Sequence, residues 1–334
     1  MKKIRWGILG CGRIARKFAA DLRRVDDAVL VAVGARSMAG ASAFVADFPE
    51  ARPHASYELL AGDGEVDVIY VATPHAMHYA HTLLCLKHKK AVLCEKPFAL
   101  NHRQAAEMVA FAQQQKTFVM EAFWSAFLPP YRQMKQLVDG GKVGNIKYIH
   151  AEFGFKPTAP VARRLYDPAL GGGALLDIGI YPVFLALDLL GKPDHITATM
   201  VPAATGIDEQ CAIGFQYQSG AIAQLFCSFS TNLASGADIS GDGGRIRLTH
   251  RFHGPTAGLV YYPSPTGAEE VWPVEKTEDN GYAHEARHVN DCIRKGLLES
   301  PMLPHSKTLL LIQTLDKIRA LAGITYAADR QSSG

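Results

Sequence analysis

A glycine-rich turn, a lysine followed by proline, and a tyrosine placed one helical turn after an aspartate are the features of this chain whose types and spacing allow chemistry. Gly10-Cys11-Gly12-Arg13-Ile14-Ala15 follows a short apolar run and opens a helix-length stretch. In that setting Gly10 permits a tight turn, Gly12 lets the backbone approach a pyrophosphate at a helix N-terminus, and Ala15 lets the helix lie against a sheet. Arg13 and Ile14 begin that helix and complete its cofactor-binding candidates. An NAD site usually carries a carboxylate about 20 residues further on, but here the second apolar run ends Gly34-Ala35-Arg36-Ser37, and Asp26 and Asp27 precede that run. A guanidinium beside a hydroxyl suits a 2′-phosphate, so the expected cofactor is NADP, with NAD the lesser alternative.

Two further loops fall where a ligand would lie at the carboxyl edge of a parallel sheet. One contains Thr73-Pro74-His75 and His78, and the other is Glu95-Lys96-Pro97. Proline restricts the residue before it to extended backbone, so Lys96 is presented rigidly and its ammonium can stabilise charge on a substrate oxygen. Glu95 is suited to pairing with it or to holding the nicotinamide ribose. Later in the chain, Gly171-Gly172-Gly173 leads into a helix on which Asp177 and Tyr181 are four apart and share a face. A phenol, ordinarily near pKa ~10, is a poor acid or base at neutral pH until a nearby ammonium stabilises its phenolate. Arg163 or Arg164, shortly before the glycines, is a candidate to reach cofactor or substrate. Lys96, Tyr181 and Asp177 are therefore the candidate catalytic set.

These residues need a scaffold, and the hydrophobic pattern supplies one. Short apolar, β-branched runs at Ile4–Leu9, Val29–Ala35, Val68–Ala72, Ala91–Cys94 and Phe118–Met120 alternate with helix-length stretches at Ile14–Arg24, Ala39–Phe48, Ala76–Lys87 and Arg103–Gln115. That is the pattern of a doubly wound α/β domain with a parallel sheet. After Trp124 the pattern becomes a helix near Pro130–Asp139, a long strand near Ile146–Phe155, an irregular basic loop and a helix over Ala174–Leu190. Strand patterns follow at His195–Val201, Gln210–Tyr217, Ala221–Ser230, Arg245–Thr249 and Leu259–Tyr262, which predict an α+β domain with a large, open, mainly antiparallel sheet. Helices over Tyr282–Lys295 and Ser306–Leu321 close the chain, and the tail beyond Tyr326 reads as frayed.

His284-Glu285-Ala286-Arg287-His288 matches the H-E-x-x-H pattern of zinc proteases, but no third ligand can be placed, and the stretch reads as the start of a solvated helix. His75, His78 and His81 recur every three residues and read as one loop histidine followed by surface imidazoles. Arg245, Arg247 and Arg251 read as solvated charge. No metal is expected. The 334 residues are 48% hydrophobic and 20% charged, which excludes a disordered or fibrous chain. A net charge of +3 without long like-charge blocks gives no footprint for nucleic acid or an anionic membrane, so the expected partner is a small molecule. No apolar run is read as approaching the roughly 20 residues of a membrane span. Six cysteines without close pairing fit a reducing compartment, and Met1-Lys2-Lys3 runs directly into the first strand; a cytoplasmic location is expected.

The motifs above, with Glu121-Ala122-Phe123-Trp124, Gly179 after Asp177, Gly281-Tyr282-x-x-Glu285 and Lys295-Gly296-Leu297-x-Glu299-Ser300-Pro301, resemble those of the glucose-fructose oxidoreductase and inositol dehydrogenase family (Gfo/Idh/MocA). The resemblance runs from Ile4 to about Tyr326. Within the family the pattern is similar to the branch of dimeric dihydrodiol dehydrogenases, also described as NADP-dependent D-xylose dehydrogenases. That branch has tyrosine where many members have histidine, and His75 where many have asparagine.

The resemblance implies an NADP-binding Rossmann domain over residues 1–123 and a substrate-binding and oligomerisation domain over 124–334, whose final helices can pack back on the first. It further implies a homodimer or higher homo-oligomer, with Lys96 as the family's catalytic lysine, Asp177 as the aspartate that helps hold substrate or lysine, and Trp124 near the substrate. The expected activity is hydride transfer between NADP and a secondary alcohol or carbonyl of a sugar or cyclic trans-diol. Tyr181 would take the hydroxyl proton in oxidation and return it in reduction. The alternatives are a glycosidase or lyase using tightly bound nicotinamide as an internal redox shuttle, and a nucleotide-sensing relative without enzymatic activity.

Overall fold

A computed structural model describes residues 2–273 and 279–330. In chain order the elements begin β1 (Ile4–Leu9), α1 (Arg13–Leu22), β2 (Ala28–Gly34), α2 (Met38–Val45), β3 (Arg52–His54), α3 (Tyr57–Ala61), β4 (Val68–Val71), α4 (His78–Lys87), β5 (Ala91–Glu95), α5 (His102–Gln115) and β6 (Val119–Ala122). They continue with α6 (Pro129–Asp139), β7 (Ile146–Gly154), α7 (Val161–Leu165) and α8 (Ile180–Leu190), then the strands β8 (His195–Pro202), β9 (Asp208–Gln216), β10 (Ile222–Ser228), β11 (Ala237–Gly241), β12 (Gly244–Thr249), β13 (Gly258–Pro263) and β14 (Glu270–Trp272). The helices α9 (Tyr282–Arg294) and α10 (His305–Ala322) follow. The chain forms two compact units, Met1–Trp124 with Glu278–Leu309, and Ser125–Thr277 with Leu310–Gly334.

In the first unit the strands run parallel in the order β3-β2-β1-β4-β5-β6. The continuous apolar runs of β4 and β5 are buried along their whole length, as strands of a parallel sheet must be when both faces are covered. Side chains fix where the helices begin: Ser37, Ser56 and Asn101 each accept from an amide three residues on, at the starts of α2, α3 and α5. The helix α9 belongs to this unit. Its N-terminal amides are satisfied by Asp21 of α1, which accepts from Asn280 and Tyr282 N–H, while Trp6 donates to Asn290 at 3.0 Å.

The second unit carries an eight-stranded sheet in the order β14-β13-β12-β11-β7-β10-β9-β8. Its pairings are antiparallel except β7 with β10. Alternate residues of β9 and β10 are buried, and the apolar α8 packs on β7 and β10, so one face of the sheet forms the core.

The α/β and mainly antiparallel character of the two halves agrees with the sequence reading, while several short elements depart from it. β3, α3, β11 and β14 are three to five residues long, too short for a hydrophobic period to register. The basic loop expected before the triple glycine contains α7. The tail beyond Tyr326 is not frayed over 327–330: Asp329 accepts from Arg319 at 2.7 Å and from Tyr326 N–H at 2.8 Å. One segment, Pro168–Leu190, is long and apolar enough to cross a membrane by length and composition, contrary to the sequence reading. Most of it (78% of its most apolar stretch) is buried within the protein, and that burial accounts for its hydropathy.

Candidate functional site

In the first unit, the loops after β1, β2, β4 and β5 emerge at the carboxyl edge of the sheet, where strand order reverses between β1 and β4. Gly10 has φ +104°, and a Cβ there would meet the carbonyl oxygen of Ala72 at 2.9 Å, so the turn accepts only glycine. Gly12 is different: its φ is −77°, and a Cβ would meet nothing within 4 Å. It stands open at the start of α1, which has no side-chain cap and no acidic residue in its first turn. An uncapped helix start with free space beside it fits a phosphate ligand. Ala15 is fully buried against the sheet, and Arg13 is exposed beside the opening.

At the end of β2, Arg36 and Ser37 are exposed, and Arg36 makes no ion pair or hydrogen bond among the described residues. The Ser37 hydroxyl accepts from Gly40 N–H at 3.2 Å and keeps its proton available to a ligand. The ring of His81 meets Tyr57 edge-on at 4.6 Å, and its Nδ1 lies 3.0 Å from the Thr73 hydroxyl. His75 and His78 depart from the expectation of a loop histidine followed by surface imidazoles. His75 begins a short 3-10 turn and is 5% exposed; His78 is fully buried with both ring nitrogens 2.8 Å from carbonyls, of Pro97 and Thr73. Burial pushes the His78 imidazole down to about 4, against the pull of those two carbonyls. The neutral ring has one N–H, so it donates to only one of those two carbonyls at a time, one in the loop after β4 and the other in the loop after β5. His81 is half-buried, again not a surface imidazole.

Glu95 closes β5 and is nearly buried. Its carboxylate accepts from the hydroxyl of Tyr70 and from the amide of Lys96 at 3.1 Å. Lys96 follows at the strand end, and its bond to Pro97 is cis. Beneath it, buried Glu121 accepts from Phe98 N–H and the Thr308 hydroxyl, each at 3.0 Å, and burial raises its carboxyl to about 7 even though Lys96 opposes the rise. Trp124 follows β6 and stacks on Tyr282 at 4.9 Å. The structure thus gathers Gly10, Gly12, Thr73, Pro74, Glu95 and Lys96 on one sheet edge.

The H-E-x-x-H stretch is not the start of a solvated helix. Glu285 is fully buried, neither of its carboxyl oxygens has a hydrogen-bond partner among the described residues, and burial with Glu95 and Asp21 pushes its carboxyl well up. The Nε2 of His288 lies 2.7 Å from the Ser300 hydroxyl. Among the described residues no group of three or more His, Cys, Asp or Glu is placed to hold a metal ion.

In the second unit the helix after the triple glycine does not begin as an α-helix: Leu175–Gly179 forms a π turn that runs into α8. Such turns are rare and concentrate at functional sites. This one contains Asp177 and Gly179 and delivers Tyr181. A Cβ on Gly179 would come within 2.7 Å of the Cys227 sulfur, so glycine lets the turn lie against β10. Asp177 accepts from Arg164 Nη2 at 3.0 Å, so Arg164 is the arginine tied to the candidate site, while Arg163 is exposed on α7. The Tyr181 ring, 7% exposed, packs against His253 at 4.5 Å and Phe153 at 6.0 Å, and those two rings stack at 4.1 Å. His253 was not singled out in the sequence; it lies in a polar turn far from any motif, and only the folded sheet brings it to Tyr181.

Residues 4–123 match the profile of the oxidoreductase family with an NAD-binding Rossmann fold (Gfo/Idh/MocA), and residues 131–247 match the C-terminal domain of the same family. The chain is 36% identical to a human trans-1,2-dihydrobenzene-1,2-diol dehydrogenase and 35% identical to its Bos taurus counterpart, each comparison covering 98% of this chain and 99% of the relative. Among solved structures it is similar to a 3-ketoreductase from Actinomadura kijaniata in complex with NADP and TDP-benzene, with a TM-score of 0.87, 26% identity and coverage of 96% and 98%. The fold also matches an aldose-aldose oxidoreductase from Caulobacter crescentus at a TM-score of 0.87, 21% identity and the same coverage.

Proposed function

Because this chain belongs to the Gfo/Idh/MocA family of oxidoreductases, we propose that it is an NADP-dependent enzyme acting on a secondary alcohol or carbonyl of a sugar or a cyclic trans-diol. The observation that carries the cofactor assignment is the open cradle at Gly12 with the guanidinium of Arg36, unpaired among the described residues, at the end of the next strand. The pyrophosphate would lie against Gly10, Gly12, Arg13 and Ile14, and the 2′-phosphate against Arg36 and Ser37. Thr73, Pro74, His75, Glu95 and Trp124 would line the rest of the cofactor site, with the buried ring of His78 supporting it between the carbonyls of Thr73 and Pro97 and Arg163 as a further contact. The names of the diol dehydrogenase relatives and of the NADP-bound ketoreductase support this reading.

The cofactor, when bound, supplies or accepts the hydride. Tyr181 transfers the proton at its phenolic oxygen, taking it from the substrate hydroxyl in oxidation and returning it in reduction. The ammonium of Lys96 is assigned to stabilising charge on the substrate oxygen. Asp177, anchored by Arg164, orients that chemistry. The first unit is proposed as the NADP-binding domain, and the second as the substrate-binding and oligomerisation domain of a homodimer or higher homo-oligomer. Six free cysteines, five of them buried, support a reducing, cytoplasmic setting.

The test is titration with NADPH and NADH, followed by nicotinamide fluorescence, on the wild type and Arg36→Ala. The expected result is a strong preference for NADPH that the substitution removes. Equal or tighter binding of NADH by the wild type would overturn the cofactor assignment.

A further inference from the structure

The triple-glycine turn is held by residues that no catalytic motif includes. Asp208, at the start of β9, is fully buried, and its Oδ2 accepts from the amide of Leu175 at 2.5 Å, supplying the cap that the π turn lacks locally. On the other side, the hydroxyl of Tyr326, a residue 3% exposed, donates to the carbonyl of Gly172 at 2.7 Å. Tyr326 is itself fixed: its N–H donates to Asp329, Arg319 bridges Asp329 and Asp316, and the Arg319 guanidinium lies 5.1 Å over its ring. Between the two clamps sits Gly173, at φ +130°. A Cβ there would overlap Asp208 Oδ1 and reach the Tyr326 hydroxyl at 2.9 Å. The backbone continues the same grip, with Gly172 and Gly173 N–H donating to the carbonyls of Asp167 and Leu165 at 2.9 Å each.

We propose that Asp208 and Tyr326 are positioning residues for the reaction: they lock the triple-glycine turn so that the π turn starts at one residue and delivers Asp177 and Tyr181 in one place. This inference rests on the reading of Tyr181 as the proton-transfer group. Three consecutive glycines are the most permissive backbone in the chain, and a flexible lead-in would let Tyr181 wander. Misplacement of a reacting group by about 1 Å costs up to roughly a hundredfold in rate. Both clamps lie within the second unit, and the backbone groups they hold, Leu175 N–H and the Gly172 carbonyl, belong to no residue proposed to hold the cofactor.

The experiment compares Asp208→Ala, Asp208→Asn, Tyr326→Phe and Tyr181→Phe by kcat, KM, NADPH affinity and thermal midpoint. Asp208→Ala and Tyr326→Phe are expected to lower kcat about tenfold while NADPH affinity and substrate KM stay near wild type. Asp208→Asn keeps a carbonyl facing Leu175 N–H and is expected to restore most of the turnover. If Tyr181→Phe is inactive but Tyr326→Phe and every folded Asp208 variant turn over normally, the positioning inference fails alone. Losses of kcat that merely follow the folded fraction would also overturn it. If Tyr181→Phe itself turns over normally, the proton-transfer reading falls, and this inference with it. Should Asp208→Ala not fold, Tyr326→Phe decides the matter.

Discussion

The carboxyl edge of the first unit's sheet and the triple-glycine turn of the second unit treat their backbone amides in opposite ways. At Gly12 the start of α1 has no cap, no acidic neighbour and open space beside it. At Gly173 the same kind of helix start is capped from within by Asp208 and clamped by Tyr326. An N-terminus that binds an anion must leave its donors for the ligand, whereas one that aims a side chain must have them satisfied by the protein. The contrast teaches that glycine serves two ends here: open space at Gly12, proposed for a ligand, and room for the protein's own side chains at Gly173.

The largest expected effect lies on the side that aims chemistry. Tyr181→Phe and Lys96→Met should each lower kcat by about 10²- to 10⁴-fold while leaving NADPH affinity and the thermal midpoint close to wild type; normal turnover in either would remove that residue from the mechanism. Next comes the ligand side. Arg36→Ala should weaken NADPH binding roughly ten- to a hundredfold and leave NADH unchanged, as read by fluorescence titration.

The two glycines of the cradle then separate stability from binding. Gly10→Ala places a Cβ against the Ala72 carbonyl at positive φ and should cost about 1–3 kcal/mol of stability. Gly12→Ala has free space and an ordinary φ, so its unfolding free energy should change by less than about 0.5 kcal/mol. Its methyl would still intrude on the phosphate and weaken NADPH roughly tenfold. A Gly12→Ala protein that binds NADPH normally would contradict the idea that this space belongs to a ligand.

Sequence alone made the first of these regions far more legible than the second. Gly10, Gly12, Arg36 and Lys96 are marked by local backbone or strand-end position, so spacing after an apolar run brings them out as candidates. Asp208 acts across 33 residues on Leu175, and His253 reaches Tyr181 only through the folded sheet; neither leaves a local pattern. The π turn is also invisible, because Asp177 and Tyr181 four apart read as one α-helical face. Polar composition misled at α9, where Glu285 among histidines and arginine suggested solvent but is fully buried. Short strands such as β11 carry too few residues for alternation to be counted.

The smallest expected effect concerns a buried acid beneath Lys96. Glu121 titrates near 7 in the folded protein against an ordinary value of 4.5, so the folded state binds more protons between those limits. Stability from this group is therefore present at low pH, falls as pH rises from about 4.5 to about 7, and is flat beyond. Glu121→Gln should remove that fall, giving a variant that gains on wild type as pH rises through this window. Thr308 can accept from the new amide, so its contact survives the substitution. Thermal unfolding across the window checks the sign; a parallel pH dependence in both proteins would contradict it.

The central claim is that Tyr181 moves the proton while NADP carries the hydride. Its most direct test is single-turnover reduction of bound NADP by D-xylose or a trans-dihydrodiol, followed by nicotinamide absorbance in wild type and Tyr181→Phe over a range of pH. The account predicts a wild-type rate that depends on one ionisation, and a variant that binds NADP normally yet reduces it at least a hundredfold more slowly without that ionisation. A variant reducing NADP at the wild-type rate with the same pH dependence would contradict it.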